Sequence, residues 1–515
     1  MNKTSTFDTY IKKKILDLSL LKEISQNLKS KKKKIIHCHG TFDLIHAGHY
    51  RHFQDSKNLG DILFVTITGD KFVNKGPNRP VFNEYLRAEM IASLSYVDYV
   101  SVVQDQTAVP SIKIIKPDIY VKGIDYKDKK QDLSKNIFVE ENEVKKNGGV
   151  LRFTDNISFS SSSLINENFS LKNKKLSKIL NDYKEKGMNH FMSLIKKIKN
   201  KRILLIGDTI IDKYVYTNTL GKPAKESILS VLRKDEKIFA GGVIAAANNI
   251  SDFCKNVILI TGIGKKSHQD LAFIKNSISK NIKLNVIALK DRPTTKKTRF
   301  IDSSYMKKMF EVYDMVDNPL NKIEENSILS KIKKNISKVD VVIVTDFGHG
   351  LINKKIIDFL SRSKVFLAVN AQTNSANKGF NLITKYPKAD YICIDEPEFR
   401  LAVQEKKLPI KDLFSKKVNL PKTNLFIVTA GKEGCFVKTK NSFLEIPAFT
   451  DTVVDTIGAG DVFFVLSALF ASIKASSFDV GFLGNVSGAI KVNIHGHSSF
   501  IKKLQFLKFI ESVIK

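Results

Sequence analysis

Apolar runs alternate with amphipathic segments along the first part of the chain. Four short runs of mostly apolar residues are residues 35–38, 62–67, 99–103 and 119–121. Buried strands separated by helices predict βαβ units and a parallel sheet. Residues 1–33 are polar with apolar positions at helical spacing, which predicts a helical N-terminal extension. We therefore expect an α/β domain over residues 34–166.

A second series of apolar runs predicts a second, larger parallel sheet in a domain over residues 201–515. Its members are residues 202–207, 341–345, 365–369, 391–394 and 426–429. Residues 213–233 and 294–313 alternate apolar and polar positions, which predicts short antiparallel strands that form a small lid. Residues 167–200 have apolar positions at i, i+3 and i+4 spacing. They predict a helical linker between two independently folded units.

Length and composition fit two or three globular domains. The chain has 515 residues, which is too long for a single hydrophobic core of ordinary size. Its hydrophobic content of 43% is that of a globular protein. No apolar run approaches the ~20 residues that span a bilayer, and residues 1–30 lack the apolar block of a signal peptide. The four cysteines are far apart, which supports neither a disulfide framework nor a zinc site. We expect a cytoplasmic protein without membrane insertion.

The formal charge of +32 is large, but it does not by itself identify the class of binding partner. Lysines are spread through nearly every segment, and no basic motif is interleaved with aromatic residues. We therefore expect no nucleic-acid partner. The positive field favours anionic small molecules such as nucleotides and sugar phosphates.

The turn after the first predicted strand combines glycines, an acid and two histidines. Its sequence is His39-Gly40-Thr41-Phe42-Asp43-Leu44-Ile45-His46-Ala47-Gly48-His49. His46 and His49 fall at the start of the predicted helix 47–57, where unpaired backbone N–H groups and the helix dipole favour an anion. Ligands of parallel sheets bind beyond the carboxyl ends of the strands. The turn therefore predicts a phosphate site in which the imidazoles are additional donors.

This histidine turn resembles the cytidylyltransferase-like nucleotidyltransferases. Three later segments, residues 74–80, 117–123 and 159–165, extend the similarity to the adenylyltransferase domain of bacterial ADP-heptose synthesis. The resemblance implies a Rossmann-like fold. It also implies a reaction in which a phosphate oxygen of the second substrate attacks the α-phosphorus of an NTP and pyrophosphate leaves. ATP and CTP both remain open as the nucleotide.

The same resemblance implies roles for individual residues. Those expected to be catalytic are His46, His49 and Lys122. Those expected to bind substrate are Asp43 and Arg79. Those expected to bind the nucleotide are Gly40, Thr41, Phe42, Ser160, Ser161 and Ser162. Lys75 and Arg87 are further candidates for phosphate charge, although Arg87 also fits a residue on a helix surface.

A second glycine turn, Asp455-Thr456-Ile457-Gly458-Ala459-Gly460-Asp461, precedes an apolar helix. Small residues let backbone N–H groups approach a phosphate, and Asp461 is placed to act as a base. The turn closely resembles the motif of ribokinase-like sugar kinases, which implies a doubly wound α/β domain with a small β lid. The implied reaction is in-line phosphoryl transfer from ATP with Mg²⁺, with Asp461 as base. The N–H groups expected to stabilise the transferred group are those of Gly458, Ala459 and Gly460.

Other kinase residues follow from the same resemblance. Those expected to bind the sugar are Asp212, Gly241 and Gly242. Those expected in a nucleotide-phosphate loop are Thr429, Gly431 and Gly434. Residues 395–398 stand where the family carries Asn-x-x-Glu, so Glu398 matches and Asp395 departs. Both are expected to act on the metal indirectly.

Three departures from the heptose kinase pattern leave the sugar open. Ala245 replaces a sugar-binding Asn, residues 222–227 differ, and His349 replaces a Lys. The order of the two domains is also the reverse of that in the familiar bifunctional heptose enzymes.

Together the motifs predict a bifunctional enzyme of nucleotide-sugar synthesis, which phosphorylates a sugar and joins a sugar 1-phosphate to a nucleoside monophosphate. One alternative is a cytidylyltransferase for a polyol or amino-alcohol phosphate, fused to a kinase for the same alcohol. Another is that the kinase half is a degenerate binding or dimerisation module. A homodimer is compatible with each of these hypotheses.

Overall fold

The computed structural model describes residues 6–76, 79–128, 132–154, 174–265, 268–316, 318–416, 418–450 and 452–514. The chain divides into two compact units, one formed by Met1–Met188 with Leu507–Lys515 and the other by Asn189–Phe506. No helix in these described ranges is both long and apolar enough to cross a membrane.

The first unit is a parallel α/β sheet preceded by two helices. Its elements are α1 (Thr6–Lys14), α2 (Leu20–Ser30), β1 (Ile35–Gly40), α3 (Ala47–Lys57), β2 (Ile62–Thr68), α4 (Glu84–Ala92), β3 (Tyr99–Val103), α5 (Val109–Ile115), β4 (Ile119–Gly123), α6 (Asn136–Lys146) and β5 (Val150–Thr154), with 3₁₀ turns at Asp70–Phe72 and Ile124–Tyr126. Within the described residues the strand order is β3-β2-β1-β4-β5, and every pair is parallel.

The strand order places a topological switch point between β1 and β4. From β1 the chain moves outward through β2 and β3, and it then crosses to β4 and β5 on the other side. Helices that follow neighbouring strands on opposite sides leave a crevice at the carboxyl ends of those strands. The histidine turn follows β1 and Lys122 lies near the end of β4, so both lie at this crevice.

The N-terminal helices pack on the sheet through their apolar positions. Leu21 is fully buried with Ile35, Phe64 and Ile115. Ile15 forms an isolated parallel bridge with Val100. The helices therefore extend the core of the first unit on one side.

The helix α7 (Lys174–Lys199) follows, and its backbone leaves helical geometry at Gly187. The elements after it are β6 (Arg202–Gly207), β7 (Thr209–Gly221), β8 (Ser230–Gly241), α8 (Gly242–Ser251), β9 (Asn256–Gly264), α9 (His268–Ser277), β10 (Ile282–Leu289), β11 (Thr295–Asp302), β12 (Lys307–Asp314), α10 (Lys322–Ile336), β13 (Val341–Asp346), α11 (Lys354–Arg362), β14 (Phe366–Ala371), β15 (Tyr391–Asp395), α12 (Glu396–Val403), α13 (Ile410–Leu413), β16 (Leu425–Thr429), β17 (Cys435–Thr439), β18 (Phe443–Ile446), α14 (Ala459–Ser472), α15 (Ser477–Lys491) and α16 (Lys503–Ile514), with 3₁₀ turns at Ile383–Lys385 and Gly431–Glu433.

The main sheet of the second unit has the order β10-β9-β6-β13-β14-β15-β16-β17-β18 among the described residues. Its strands are parallel from β10 through β16, and β17 and β18 are antiparallel. The switch point lies between β6 and β13, because the chain moves from β6 to β9 and β10 and then returns to β13. The predicted α/β class is confirmed for both units.

The lid is a separate sheet, and its predicted details are partly wrong. Its order in the described residues is β12-β11-β7-β8, and β7 and β11 pair in parallel. The strands are also long, since β7 has 13 residues and β8 has 12. Alternation of apolar and polar positions predicts strands with one apolar and one polar face. It does not predict whether neighbouring strands run parallel or antiparallel.

Candidate active sites

The histidine turn holds two neutral imidazoles at the start of α3. His46 caps the helix, and its Nδ1 accepts a hydrogen bond from the Gly48 N–H at 3.1 Å. A ring nitrogen that accepts leaves the proton of neutral imidazole on the other nitrogen, so Nε2 of His46 is a donor. The His49 ring stacks on the His46 ring with 3.9 Å between centroids. The sequence predicted both histidines at the helix start, but it did not predict that their rings stack.

Burial keeps both histidines uncharged. It lowers the pKa of His46, with a further contribution from Lys75. It also lowers the pKa of His49 to about 3, together with the charges of His46 and Lys75. Neutral His46 can donate its Nε2–H to a phosphate, whereas the His49 ring is held by a hydrogen bond to the backbone of Leu44, and the nearby Lys75 supplies positive charge.

Gly40 and Phe42 support the histidine pair. Phe42 has a φ of 47°, and its ring lies edge-on to His49 at 5.3 Å and to Phe53 at 5.0 Å. A Cβ atom on Gly40 would lie 2.9 Å from Cζ of Phe42. Glycine is therefore required at residue 40 so that the Phe42 ring can pack beneath His49.

Asp43 and Arg87 fix the turn to the loop before α4. Asp43 is buried, and its Oδ1 accepts hydrogen bonds from the N–H groups of Val81 at 2.7 Å and Phe82 at 3.2 Å. Arg87 is fully buried and donates to the carbonyl oxygens of Thr41, Thr68 and Phe82. Its guanidinium also pairs with Asp70 at 2.5 Å. The interpretation of Arg87 as a helix-surface residue is therefore wrong, and its contacts organise the turn.

Lys122 is held by a buried carboxylate that the sequence analysis missed. Its Nζ lies 3.0 Å from Oε2 of Glu140 and donates to the His39 carbonyl at 3.3 Å. Burial acts to lower the pKa of Lys122, but Glu140, together with Tyr126 and Asp132, acts in the opposite direction, and the net shift is upward. The only sequence signal for Glu140 is an acid on the apolar face of α6, beside Ile137 and Val144. Lys122 therefore remains charged inside the crevice.

Arg79 and a run of three serines are further residues that the sequence predicts for this site. Arg79 is half-buried, and burial lowers its pKa while Asp43 opposes the shift. Its proximity to Asp43 places these two predicted substrate residues together. Ser160, Ser161 and Ser162 lie outside the described residues.

The glycine turn of the second unit places Asp461 in the first turn of α14. Gly458 has a φ of 73°, and a Cβ atom there would lie 2.7 Å from Cε1 of His497. The Asp461 carboxylate accepts a hydrogen bond from Nε2 of Gln372 at 2.8 Å. Burial raises the pKa of Asp461, although His497 and Lys297 oppose the shift. A raised pKa makes this carboxylate a better proton acceptor.

The backbone of this turn differs from the prediction at one amide. The N–H of Ala459 donates to the Thr456 carbonyl at 3.1 Å. Gly460 lies next to it in the first turn of α14, where helical amides lack intrahelical acceptors. Ala459 therefore stabilises the turn in this structure and does not present its N–H to a ligand.

Asp212 is an ionised residue at the base of the lid. Arg299 of β11 donates to its Oδ1, and Nε2 of His497 lies 3.4 Å from its Oδ2. Burial acts to raise the pKa of Asp212, but His497 and Arg299 lower it to about 2. A Cβ atom on Gly241 would lie 2.0 Å from Oδ2 of Asp212, so glycine is required there. Arg299 and His497 come from distant segments, and the sequence analysis named neither.

Gly242 and Ala245 lie in the helix that begins beside Asp208. Gly242 has a φ of 53°, and a Cβ atom on it would lie 2.6 Å from the Asp208 carbonyl. Val243 donates its N–H to the same carbonyl at 3.1 Å. Ala245 is buried within α8. The two glycines therefore allow the close packing of α8 against the end of β6.

A second polar pair, Asp208 and His349, lies at the switch point of the main sheet. Burial and the charge of Asp346 raise the pKa of Asp208 to about 7. Burial, with Lys297, lowers the pKa of His349 to about 3. In the described structure, Oδ2 of Asp208 and both ring nitrogens of His349 are buried without a hydrogen-bond partner.

Asp395 and Glu398 form a capping box on α12. Oδ1 of Asp395 accepts the Glu398 N–H at 2.7 Å, and Oε2 of Glu398 accepts the Asp395 N–H at 2.8 Å. Oε1 of Glu398 accepts the Thr373 N–H at 2.9 Å. Burial and Asp395 raise the pKa of Glu398 to about 8. Because these carboxylates already accept hydrogen bonds from backbone N–H groups, they suit an indirect role toward Mg²⁺. That role stays a prediction.

The described residues contain no group of three or more His, Cys, Asp or Glu side chains that could hold a metal ion. Mg²⁺ in phosphotransferases is commonly held by one or two carboxylates together with the phosphates of the substrate. In the Asp395 and Glu398 pair, three carboxylate oxygens already accept backbone N–H groups, so this pair fits direct binding of Mg²⁺ poorly.

The predicted nucleotide loop is a tight turn between β16 and β17. Gly431 and Gly434 have φ values of 52° and 93°. A Cβ atom on Gly434 would lie 2.1 Å from the Ile446 carbonyl, and the Ala430 N–H donates to the Gly434 carbonyl at 2.9 Å. Thr429 ends β16. The turn brings backbone groups to the carboxyl end of the sheet.

Comparison with known proteins assigns a family to each half. Residues 200–504 match the pfkB family carbohydrate kinases, and residues 37–168 match the cytidylyltransferase-like family. The predicted resemblances to these families are confirmed.

Curated relatives match only part of this chain. The bifunctional protein HldE of a Nitratiruptor species is 41% identical over 128 residues, which are 24% of this chain and 28% of the relative. The HldE protein of Helicobacter pylori is 44% identical over 111 residues, 21% of this chain and 24% of the relative. The matched part thus spans about a quarter of the length of these relatives, and it lies in the nucleotidyltransferase part.

Solved structures with low identity cover the kinase part. Ribokinase from Thermotoga maritima is 18% identical with a TM-score of 0.46, and the match covers 60% of this chain and 99% of that one. Phosphofructokinase-2 from Escherichia coli with fructose-6-phosphate is 13% identical with a TM-score of 0.47, and covers 61% of this chain and all of that one (100%).

The pfkB match covers more than half of the chain, because it extends over residues 200–504 of 515. The chain therefore belongs to the pfkB family of carbohydrate kinases, and it carries a cytidylyltransferase-like segment ahead of its kinase residues.

Proposed function

We propose that this protein is a bifunctional enzyme of nucleotide-sugar synthesis. The second unit phosphorylates a sugar with ATP, and the first joins a sugar 1-phosphate to a nucleoside monophosphate with release of pyrophosphate. The observation that carries the proposal is the presence of two separate constellations, one in each compact unit. One contains the neutral His46 and His49 pair, and the other contains Asp461 at the start of α14.

In the second unit, Asp461 accepts the proton of the sugar hydroxyl that attacks the γ-phosphorus of ATP. The Gln372 amide holds one oxygen of Asp461, which leaves the other to face the sugar. Asp212 is ionised and accepts hydrogen bonds from sugar hydroxyls within reach of Arg299 and His497. Mg²⁺, when bound with ATP, neutralises phosphate charge.

In the first unit, the His46 imidazole donates its Nε2–H to the phosphates of the NTP, and the stacked His49 ring holds it in place. Fixed donors of this kind are each worth roughly 2.7 to 4 kcal/mol when they face charge that develops in the transition state. Lys122 adds a positive charge that Glu140 orients within the crevice. These groups bind and orient, and no covalent enzyme intermediate is required.

A heptose phosphate is the first substrate class to test. The relatives that match the first unit carry the name bifunctional protein HldE, and the segments of the first unit resemble the adenylyltransferases of ADP-heptose synthesis. The partners in this proposal are small molecules, and its setting is the cytoplasm. His349, which replaces a lysine of the heptose kinase pattern, has both ring nitrogens buried without a hydrogen-bond partner in the described structure, and this departure leaves the identity of the sugar open.

The second candidate is a cytidylyltransferase for glycerol 3-phosphate or a similar alcohol phosphate. It is compatible with the histidine turn, which serves both enzyme classes equally. The test measures pyrophosphate release from ATP, CTP, GTP and UTP, each with heptose 1-phosphate and separately with glycerol 3-phosphate. Release with ATP and the heptose phosphate alone supports the main proposal. Release with CTP, or with glycerol phosphate alone, supports the second candidate instead.

A further inference from the structure

Lys491, the last residue of α15, is a fully buried lysine beside the catalytic turn of the second unit. Its Nζ donates to the carbonyl oxygen of Gly496 at 2.7 Å and lies 3.5 Å from that of Ile494. Lysine is almost never fully buried unless it is paired, because its ammonium loses hydration. Here the partners in the described part of the chain are backbone carbonyls.

The carbonyls that hold Lys491 connect directly to the glycine turn. Gly496 donates its N–H to Oδ2 of Asp455 at 2.9 Å, and Oδ1 of Asp455 accepts the Ile457 N–H at 3.1 Å. A Cβ atom on Gly458 would lie 3.5 Å from Cε of Lys491. The ammonium, the Gly496 carbonyl and Asp455 therefore form one continuous support beneath the turn that precedes Asp461.

The charge of Lys491 acts on the same carboxylates. Asp455 and Asp461 both favour its charged form, and Lys491 in turn favours the ionised form of Asp461. Backbone carbonyl oxygens, of which Lys491 contacts two, are also the ligands with which proteins bind K⁺. Because the lysine side chain already fills this place, a dissolved cation is not needed there.

We infer that Lys491 is a positioning residue that serves as a built-in monovalent cation for the phosphoryl-transfer site. Its ammonium holds the turn over residues 455–460 and supplies fixed positive charge near the transferred phosphoryl group. Phosphorylation by this chain then proceeds without K⁺ or NH₄⁺. The inference rests on the proposed kinase function.

The protonation state of Lys491 gives an independent signature. Burial lowers the pKa of Lys491 to about 8, against the opposing charges of Asp455 and Asp461. Lys308 also faces Asp455, and Asp212 and His495 face the same region. As pH rises through about 8 the ammonium loses its charge, so the rate of phosphorylation falls. A neutral substitute at residue 491 removes this alkaline decline.

The experiment compares the full-length wild type with the K491M and K491R variants, and uses K502M as the control because Lys502 is exposed on the nearby loop. ADP release is measured with Mg-ATP and a panel of hexoses, heptoses and their monophosphates. The buffers contain tetramethylammonium alone, or with added LiCl, KCl or NH₄Cl. The thermal unfolding midpoint is measured in the same buffers.

The wild type and K502M should have equal rates in all buffers. K491M should lose roughly 10- to 100-fold in kcat, the usual effect of removing an outer-shell partner, with a smaller change in the KM for ATP. KCl or NH₄Cl should restore part of this loss and raise the unfolding midpoint of K491M, whereas LiCl should do neither. K491R, which keeps the charge, should retain more activity than K491M without added cation.

Severalfold activation of the wild type by KCl or NH₄Cl would overturn the inference, and this result needs no variant that folds. Equal losses of K491M activity in every buffer, with no response of the unfolding midpoint, would also overturn it. If the wild type phosphorylates nothing in the panel, the proposed function fails. In that case the cation-dependent unfolding midpoint of K491M still decides whether Lys491 fills a cation site.

Discussion

A single backbone hydrogen bond sets the chemistry of His46. Because Nδ1 accepts the Gly48 N–H, the proton of the neutral ring lies on Nε2. The same logic applies to Lys122, whose charge depends on one carboxylate, and to Asp212, whose low pKa depends on His497 and Arg299. At the residue scale, the reactivity of each side chain is decided by the partner that it contacts.

Glu140 can be tested as the partner of Lys122. Replacing Glu140 by Ala leaves a buried ammonium beside Tyr120 without its carboxylate, and breaking such a pair costs roughly 3 to 5 kcal/mol. We expect E140A to lower the free energy of unfolding by this amount and to reduce nucleotidyl transfer. Urea unfolding and pyrophosphate release measure the two effects. E89Q, which changes an exposed acid on α4, should alter neither.

Acid should destabilise the first unit through its buried histidines. Burial lowers the pKa of His52 to about 4, whereas an unfolded histidine has a pKa of ~6.5. Between these values the unfolded chain binds more protons, so the free energy of unfolding decreases as pH falls through this window. Each such histidine contributes a slope of about 1.4 kcal/mol per pH unit.

In the variant H52N, the free energy of unfolding should change less with pH, by the slope of about 1.4 kcal/mol per pH unit that one histidine contributes. Hydrogen exchange of the first unit between pH 4 and 6.5 measures its unfolding free energy separately from that of the second unit. A slope in H52N that equals the wild-type slope would mean that His52 is already protonated in the folded protein.

At the scale of elements, both sites are built from a strand end, a glycine turn and a helix start. β1 leads through Gly40 into α3, and Gly458 leads into α14. In each case glycine is required because another side chain occupies the space of its Cβ atom. The turn between β16 and β17 follows the same rule, although there the obstacle is a backbone carbonyl.

Alanine at Gly434 tests this rule. Its Cβ would lie 2.1 Å from the Ile446 carbonyl oxygen, and the φ of 93° is strained for any residue with a side chain. We expect G434A to cost at least the roughly 1 to 3 kcal/mol of a strained backbone position. It should also raise the KM for ATP. G488A is the matched control, because its Cβ would meet only Phe463 at 3.9 Å within a helix.

Thermal unfolding distinguishes the two glycine variants. Alanine replaces glycine inside a helix with a gain of roughly 0.5 to 1 kcal/mol, so G488A should be as stable as the wild type or more so. Equal midpoints for G434A and the wild type would show that the turn can rearrange at little cost.

At the scale of the whole molecule, local patterns predict the elements and motif positions but not their distant partners. The turns at His46 and Asp461 could be read from sequence because small residues and a helix follow one another within a short stretch of chain. Glu140, Arg299 and His497 could not, since each belongs to a different element or loop from the residue that it contacts. The parallel pairing of β7 with β11 could not be predicted either, because strand direction depends on the path of the chain between the two strands.

The central claim is that one chain carries two separate catalytic sites. Asp461 and His46 lie in different compact units, so each reaction should depend on only one of them. The decisive measurement is the rate of sugar phosphorylation and of pyrophosphate release in wild type, D461N and H46A. We predict that D461N loses phosphorylation by a factor of about 100 or more and keeps pyrophosphate release, and that H46A shows the reverse. Equal loss of both activities in either variant would contradict the two-site account.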